Sequence, residues 1–338
     1  MAESASTSAS HGSGHAGPVG AALGVRPGYG LGYTGSGTEY FVIQLVNGLL
    51  ILVTLGLYYP WARVRELNFM IGSLTAGGDS FSFHGQGREL FWGVLRAWLL
   101  FVLPLILLGF GLSTPSLDAG TRMFFFVAFY FLGFVFVCFA LMGSLRYRAS
   151  RTSWHGIRFG FDGRFSEFGA AYGLRLLLVL VSLGIAYPFA STWRRDYVIT
   201  HSRFGAERMG FDGSPSELFG VYVLCWFLLI PTLGFSMVWF HGHQQAYFWN
   251  HTTLAGGRFY SSLTGGEWVG ISFINSLLVT FTLGFGASWA YTNLHREFFS
   301  RLTLRDADLG KVEAAASTGS AMGEGAADVL DVDGGIDI

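Results

Sequence analysis

The sequence predicts an all-α helical membrane protein of about six transmembrane helices, built from degenerate repeats of about 50 residues with short extended segments between spans. Three observations predict it. Only 13% of the 338 residues are charged, and the mean hydropathy is +0.44. Long stretches carry no charge at all, and one short cassette of residues recurs along the chain.

The two ends of the chain differ in composition from the rest. Residues 1–32 are mostly Ser, Gly, Ala and His, and residues 306–338 are mostly Ala, Gly and acidic residues. Segments of this kind bury too little apolar surface to offset the entropy of ordering. We therefore expect two disordered tails flanking a repeat-built transmembrane domain at 33–305.

The spans are predicted from runs without Asp, Glu, Lys or Arg. A helix needs about 20 apolar residues to cross a hydrocarbon core of about 30 Å. Lipid offers the backbone no hydrogen-bond partner, so a span of this kind bonds its own backbone groups as a helix. The runs place spans near 41–60, 91–111, 123–143, 168–189, 218–240 and 268–290. Segments such as 124–129 do not alternate apolar with polar residues, which argues against β-barrel strands.

The repeated cassette has the form Phe-x-Phe-(His/Asp)-Gly-x-x-x-Glu. It is complete at 81–89 and 159–167, is shortened at 210–217, and has weaker copies before Glu39 and Glu267. A (Thr/Ser)-Leu-Gly triplet follows at one fixed offset, at 54–56, 182–184, 232–234 and 282–284. Matched spacings of this kind indicate an internal repeat. We expect the Phe-x-Phe segments to be short strands or turns between spans, and as strands to pair across cassettes at the membrane surface.

The first cassette resembles the bacterial YjgN family. The resemblance rests on the string Thr-Leu-Gly-Leu-Tyr-Tyr-Pro-Trp-Ala-Arg-Val-Arg at 54–65, with Glu-Tyr-Phe at 39–41 before it and Phe-x-Phe-x-Gly at 81–85 after it. It covers about 33–305. The resemblance implies a multi-pass protein of the bacterial cytoplasmic (inner) membrane, and it supplies no catalytic residues.

One acidic residue recurs in every cassette. The five are Glu39, Glu89, Glu167, Glu217 and Glu267. Ser36, Ser214 and Thr264 each lie three residues before one of them, the spacing of a capping box in which the carboxylate bonds a free backbone N–H. A carboxylate in the first helical turn also suits the helix dipole. We interpret these residues as helix-start caps, with an ion- or substrate-binding role as the alternative.

Polar residues also recur inside the predicted spans. Asn47, Arg175 and Asn275 each follow a cassette Glu by eight residues, and Arg96 lies one residue from the same level. Eight residues at 1.5 Å per residue place this level about 12 Å from the start of the helix, if the helix starts at the Glu. An Arg in lipid costs about 2.5–3.5 kcal/mol, so we expect Arg175 to face the bundle with an Asn or a carbonyl in reach. This layer is interpreted as interhelical hydrogen bonding, or as a path for a solute or ion.

The leading functional prediction is translocation of a small solute or ion, because internal repeats are common in transporters. The alternative is a structural or lipid-interacting membrane protein without transport activity. Phosphate loops, nucleophile elbows and His-Glu-x-x-His are absent from the sequence, so we expect no enzyme, cofactor or metal site. A net charge of −1 with one Lys excludes nucleic acid, which leaves the lipid bilayer as the expected partner.

Two membrane topologies fit the sequence. Six crossings place both tails on one side, predicted to be cytoplasmic, but they divide the basic residues almost evenly between the two faces. The positive-inside rule then gives no orientation. In the alternative topology each cassette is a hairpin whose chain returns after Thr-Leu-Gly, which collects nearly all Arg residues on one side.

Overall fold

The computed structural model describes residues 28–310 and residue 312, and most of this part is helical. A π-helical turn, Trp98–Val102, joins the helices Gly87–Ala97 and Leu103–Leu112 without a break. The helices are α1 Gly37–Val53, α2 Tyr59–Gly72, α3 Gly87–Ala97, α4 Leu103–Leu112, α5 Ala119–Arg151, α6 Phe165–Val181, α7 Tyr187–Thr200, α8 Pro215–Phe227, α9 Phe235–Asn250, α10 Gly265–Phe281 and α11 Ala287–Phe299.

Short strands connect one pair of helices to the next. They are β1 Tyr29–Tyr33, β2 Leu74–Ala76, β3 Asp79–Ser80, β4 Ser82–Phe83, β5 Thr152–Trp154, β6 Ile157–Phe161, β7 Ser202–Phe204, β8 Glu207–Arg208, β9 Gly210–Phe211, β10 Thr252–Leu254, β11 Gly257–Ser261 and β12 Leu302–Arg305.

Four pairs of helices reverse direction at the Thr-Leu-Gly triplet. The Leu of each triplet has φ between +50° and +52°, and the following Gly has φ between +91° and +93°. In the first turn the Thr54 hydroxyl donates to the Leu50 carbonyl at 2.7 Å and accepts from the Tyr58 amide at 3.0 Å. The triplet thus ends one helix and starts the next, so each cassette is a helical hairpin with a first and a returning helix.

The reversals correct four of the predicted spans. The ranges 41–60, 168–189, 218–240 and 268–290 each contain such a turn, so none of them is one straight helix. Two helices in the described residues are long and apolar enough to cross a membrane, 87–112 and 119–151, and they coincide with the predicted spans 91–111 and 123–143. Hydropathy misses the reversals because the Thr-Leu-Gly turn is itself apolar.

The strands form a closed ring of β-hairpins. One sheet has the order β3-β2-β1-β12-β11-β10-β9 and the other the order β4-β5-β6-β7-β8. Only Phe81 separates β3 from β4 and only Met209 separates β8 from β9, so the chain joins the sheets at both edges. The Phe-x-Phe segments contribute to strands that pair between cassettes, but each partner is a strand that follows a returning helix and is not another Phe-x-Phe segment, as in Phe83 opposite Thr152.

The helices form a second closed ring above the strands. Each helix contacts the next along the chain, and α1 contacts α11, which closes the ring. The first helices are α1, α3–α4, α6, α8 and α10, and the returning helices are α2, α5, α7, α9 and α11. Five helical hairpins therefore stand on the strand ring, and we call the strand end of this domain its base.

The domain is longer at both ends than predicted. Tyr29–Tyr33 forms β1, and Ala307, Leu309 and Val312 are buried in the apolar core inside the strand ring. Composition alone places these residues in the tails, because the segments around them are rich in Gly and in acidic residues. The rest of the predicted tails, 1–27, 311 and 313–338, lies outside the described residues.

Candidate functional site

The structure does not bring the predicted polar layer together. Asn47 is 2% exposed and donates to the Ala62 carbonyl at 3.2 Å, a bond within the first hairpin. Asn275 accepts from Asn293 Nδ2 at 3.1 Å, a bond within the last hairpin. Each Asn therefore joins the first helix of its own hairpin to the returning helix.

The two Arg residues of that layer behave differently. Arg175 Nη1 donates to the Ala171 carbonyl at 2.9 Å, and its guanidinium lies 4.3 Å from the ring centre of Trp193 on the returning helix. The expected carbonyl partner is present, on its own helix. Arg96 lies exposed on α3. Asn47, Arg175 and Asn275 thus each make contacts within their own hairpin.

Among the helix-start Glu residues, Glu267 makes the predicted cap bond with its carboxylate, while at α1 the cap is the Ser36 side chain. At α10 the capping box is complete, because Glu267 accepts from the Thr264 amide at 2.9 Å and the Glu267 amide donates to Thr264 Oγ1 at 3.3 Å. These bonds lower the pKa of Glu267. At α1 the Glu39 amide donates to Ser36 Oγ at 3.2 Å. Thr264 and Ser36 are therefore capping residues, as their spacing predicts.

The remaining helix-start Glu residues contact basic side chains. Glu89 accepts from Arg151 at 2.7 Å, and Glu217 lies 4.0 Å from His251 Nε2. Arg151 ends a returning helix and His251 directly follows one, so both contacts tie a first helix to its partner. Glu167 lies 3.5 Å from Arg164, which precedes it on the same helix start.

A tyrosine replaces the capping side chain where the cap bond is missing. Ser214, the predicted cap of α8, makes no capping bond, since its hydroxyl pairs with that of Ser216. The Tyr247 hydroxyl instead accepts from the Ser214 amide at 2.7 Å and donates to the Ser214 carbonyl at 3.1 Å. Equivalent bonds join Tyr197 to Arg164 at 2.8 and 2.9 Å and Tyr147 to the Gln86 carbonyl at 3.3 Å.

A polar pocket of about 260 Å³ lies among the returning helices near the base of the domain. Arg195 of α7, Gln245 of α9 and His295 of α11 contribute polar side chains to it. Burial lowers the pKa of His295, so its imidazole is neutral at neutral pH. The remaining lining residues are His241, Trp249, Trp268, Leu294, Phe298 and Phe299.

Arg195 is the cation of this polar pocket. Its guanidinium lies 4.7 Å from the ring centre of Trp249, and Nη2 lies 3.5 Å from Thr252 Oγ1. Nε is buried without a hydrogen-bond partner, and no carboxylate in the described residues lies within 4.0 Å of the guanidinium. Burial, together with the nearby Arg194, lowers the pKa of Arg195 to about 10, so it stays charged at neutral pH.

An apolar cavity of about 280 Å³ lies next to the polar pocket, inside the strand ring. Trp249 and Phe299 line both cavities. Leu309, which follows the last strand, also contributes to the apolar wall. The rest of the lining is Tyr29, Leu31, Leu74, Ala76, Phe81, Trp154, Phe159, Phe204, Met209, Leu254, Phe259 and Leu304.

The polar pocket was not predicted, although a periodic signal marks it. Arg195, Gln245 and His295 each follow a cassette Glu by 28 residues, and the equivalent residue in the first cassette is Leu67. The sequence prediction considered only the level eight residues after each Glu. His241 and His243, two residues apart on α9, have different ring partners, because His241 packs against Trp268 and His243 stacks on Trp239.

The sequence matches one family model, described as "Bacterial protein of unknown function (DUF898)", over residues 29–240 and 223–329. The chain belongs to this family. The two matches extend over the whole repeat region, so the family assignment covers every helical hairpin.

Three relatives of this DUF898 chain are each named inner membrane protein YjgN. The Salmonella typhimurium (strain LT2) protein is 36% identical over 130 residues, which cover 38% of this chain and 30% of the relative. The Escherichia coli O157:H7 protein is 29% identical over 163 residues, 48% of this chain and 38% of the relative. The K12 protein is 28% identical over 166 residues, 49% of this chain and 39% of the relative.

The matched segments thus span between 30% and 39% of these relatives' length. The resemblance to the YjgN family that residues 54–65 carry is confirmed, and a location in the inner membrane agrees with the relatives' names and with the two long apolar helices. No solved structure matches the chain.

Proposed function

We propose that the chain is a lipid-interacting inner-membrane protein whose four short helical hairpins enter one leaflet, while α3–α4 and α5 cross the bilayer. The observation that carries this is the exposure of the four hairpin tips. Leu55, Leu183, Leu233 and Leu283 are 78–94% exposed and occupy equivalent positions in the repeat. A Leu that leaves water for lipid gains about 1.5–3 kcal/mol, so four such tips favour insertion.

The apolar surface below the tips sets the depth of insertion. On α1 the side chains of Val42, Leu45, Leu49 and Leu52 are all exposed and lie on one face of the helix. At 1.5 Å per residue, the stretch from Val42 to the tip is about 20 Å long. That length is shorter than a hydrocarbon core of about 30 Å. The short hairpins therefore enter the membrane without crossing it.

The long hairpin has the length to cross. The helix 87–112 has 26 residues and the helix 119–151 has 33 residues, against a need of about 20. Large apolar side chains on their surfaces are exposed, among them Leu107, Phe110, Phe124 and Phe131. One full-length hairpin thus fixes the ring of short hairpins in the membrane.

The distribution of basic residues gives this arrangement an orientation. Arg122 is the one basic residue in the segment 113–122, which joins the two long helices at the far end. Basic residues are numerous at the base, where the positive-inside rule places the cytoplasm. Five of them lie in strands: Arg158, Arg203, Arg208, Arg258 and Arg305.

Translocation of a small solute or ion stays a prediction from the repeat architecture. Asn47, Arg175 and Asn275, the polar residues on which it depends, each bond within one hairpin. These contacts support a structural role for that layer. Flux measurements on proteoliposomes containing the full chain would detect transport directly.

Depth measurements by spin labelling test the proposal. Cys138 and Cys225, both buried thiols, are first replaced by Ser, and single nitroxides are then placed at Leu233→Cys and Ser80→Cys in proteoliposomes. We expect oxygen, which partitions into lipid, to relax the label at the hairpin tip, and a water-soluble nickel chelate to relax the label at the base. Strong relaxation of the tip label by the chelate would reject leaflet insertion.

A further inference from the structure

The polar pocket and the apolar cavity next to it differ sharply in chemistry. Arg195 places a charged guanidinium in the polar pocket, while the apolar cavity is lined entirely by apolar side chains. Each volume is near the lower end of the range of about 300–1,000 Å³ typical of ligand pockets. A ligand with a charged end and a hydrocarbon end matches the pair of cavities better than it matches either alone.

We propose that these two cavities together bind one single-chain anionic amphiphile, with its carboxylate at Arg195 and its hydrocarbon chain in the strand ring. Nε of Arg195 has no hydrogen-bond partner, and the guanidinium has no carboxylate within 4.0 Å among the described residues. A buried donor without a partner is costly. A carboxylate ligand supplies the acceptor that the protein lacks at this position.

The polar side chains around Arg195 suit a carboxylate. Gln245 carries an amide that can donate to a second carboxylate oxygen. His295 also lines the pocket, but its Nδ1–H donates to the Tyr291 carbonyl at 2.8 Å, so its neutral imidazole offers only an acceptor nitrogen to the pocket. Arg195 is consequently the charged group that selects an anion, while Gln245 adds a hydrogen bond.

The apolar cavity determines the form of the hydrocarbon end. Ala76, Phe204 and Leu304 belong to strands from different parts of the ring and all line it. An apolar enclosure of this kind does not retain water, so it favours a hydrocarbon chain over a hydrated ion. Trp249 and Phe299 line both cavities, so the two cavities share a wall, and a hydrocarbon chain that runs from the guanidinium into the ring passes these two side chains.

This site depends on the proposed function in one respect: if the hairpins insert into a leaflet, the membrane is the source of the amphiphile. The binding experiment below uses the full chain in detergent, without a bilayer. Failure of the site and failure of leaflet insertion are therefore separate results.

Binding of tritiated hexadecanoate to the purified, delipidated chain tests the site. We expect Arg195→Gln to weaken hexadecanoate binding about 10- to 100-fold, since a hydrogen bond to a charged group is lost. Arg194→Gln is the matched control, because Arg194 is an exposed neighbour that does not line the polar pocket, and it should bind as wild type. Arg195→Lys, which keeps the charge, should lose less affinity than Arg195→Gln.

Two further probes separate the charged end from the hydrocarbon end. Hexadecanol should bind more weakly than hexadecanoate and with equal affinity to wild type and Arg195→Gln, which also shows that the variant is folded. Ala76→Leu should reduce binding of both probes by filling the apolar cavity. Inorganic phosphate in excess should not displace hexadecanoate.

Three results would overturn the proposal. The first is displacement of hexadecanoate by phosphate, which would indicate a simple anion site. The second is equal loss of binding in Arg194→Gln and Arg195→Gln. The third is hexadecanoate binding that neither Arg195→Gln nor Ala76→Leu changes.

Discussion

At the scale of single residues, the N-terminus of a first helix is capped in one of two ways. Thr264 caps α10 with its own side chain, and the residue 33 positions later is Glu297. Ser214 does not cap α8, and the residue 33 positions later is Tyr247, whose hydroxyl bonds both backbone groups of Ser214. The missing side-chain cap is thus supplied from the returning helix.

The tyrosine caps predict a graded loss of stability. Tyr247→Phe and Tyr197→Phe each remove a hydroxyl that makes two backbone bonds, and we expect each to cost about 1–2 kcal/mol of unfolding free energy. Tyr147→Phe removes one bond of 3.3 Å and should cost less. Thermal unfolding of the detergent-solubilised variants measures this order, and an equal effect at all three positions would contradict it.

The capping box of α10 predicts a dependence on pH. Hydrogen bonds from Thr264 lower the pKa of Glu267, so the box stabilises the folded state fully above the unfolded carboxyl pKa of about 4.3. This contribution is lost as the pH falls through the lower folded pKa. Thr264→Ala should therefore reduce the acid sensitivity of unfolding.

Ser214→Ala is the matched control for the pH experiment, because the Ser214 side chain makes no capping bond. Its unfolding should follow the wild-type pH curve. A curve for Thr264→Ala that coincides with the wild-type curve between pH 3 and 6 would show that the box contributes nothing.

At the scale of elements, the Thr-Leu-Gly turn makes a hairpin from what reads as one apolar span. Leu233 has φ of +51°, a conformation uncommon for any residue except Gly, Asn and Asp. The turn nevertheless repeats four times with the same dihedral angles. An apolar residue in this conformation keeps the tip hydrophobic, which suits a turn placed in lipid.

Gly234 and Gly220 form a matched pair for testing the turn. A Cβ at either position meets nothing within 4 Å, but Gly234 has φ of +91° and Gly220 lies inside α8. We expect Gly234→Ala to destabilise the protein by about 1–2 kcal/mol through backbone strain. Gly220→Ala should be neutral or stabilise by about 0.5–1 kcal/mol. Equal melting temperatures would contradict this account of the turn.

Local patterns predicted some elements and missed others for physical reasons. The Phe-x-Phe segments read as strands because their side chains alternate, with Phe83 buried and Ser82 exposed. The capping box at Thr264 depends on residues three apart and was equally visible. The reversal at Leu55 lies between Thr54 and Gly56, where the alternative topology places the return, but hydropathy averaged over 41–60 indicates one continuous span.

At the scale of the whole molecule, ring closure brings together residues that are distant in the sequence. Arg195, Gln245 and His295 are 50 residues apart along the chain and line one pocket. In the sequence only the repeat period relates these three residues. The local pattern around each one does not predict that their side chains point into the same pocket. The long-range contact of α1 with α11, which closes the ring, has no local signal either.

In the hairpin topology, the bases of all the hairpins lie on one face of the membrane. Ser80 and Ala206 are exposed at the base between different hairpins, and Ser116 is exposed between α4 and α5 at the far end. Six separate crossings would place Ala206 with Ser116 and opposite Ser80. The hairpin arrangement places Ala206 with Ser80 and opposite Ser116, so one residue distinguishes the two topologies.

The most direct test is single-cysteine labelling at these three positions in the full chain, after Cys138 and Cys225 are replaced by Ser. A membrane-impermeant maleimide is added to spheroplasts before and after permeabilisation. We predict that Ser116→Cys reacts in intact spheroplasts, and that Ser80→Cys and Ala206→Cys react only after permeabilisation. The hairpin topology would be contradicted if Ala206→Cys and Ser116→Cys were labelled under the same condition and Ser80→Cys under the opposite one.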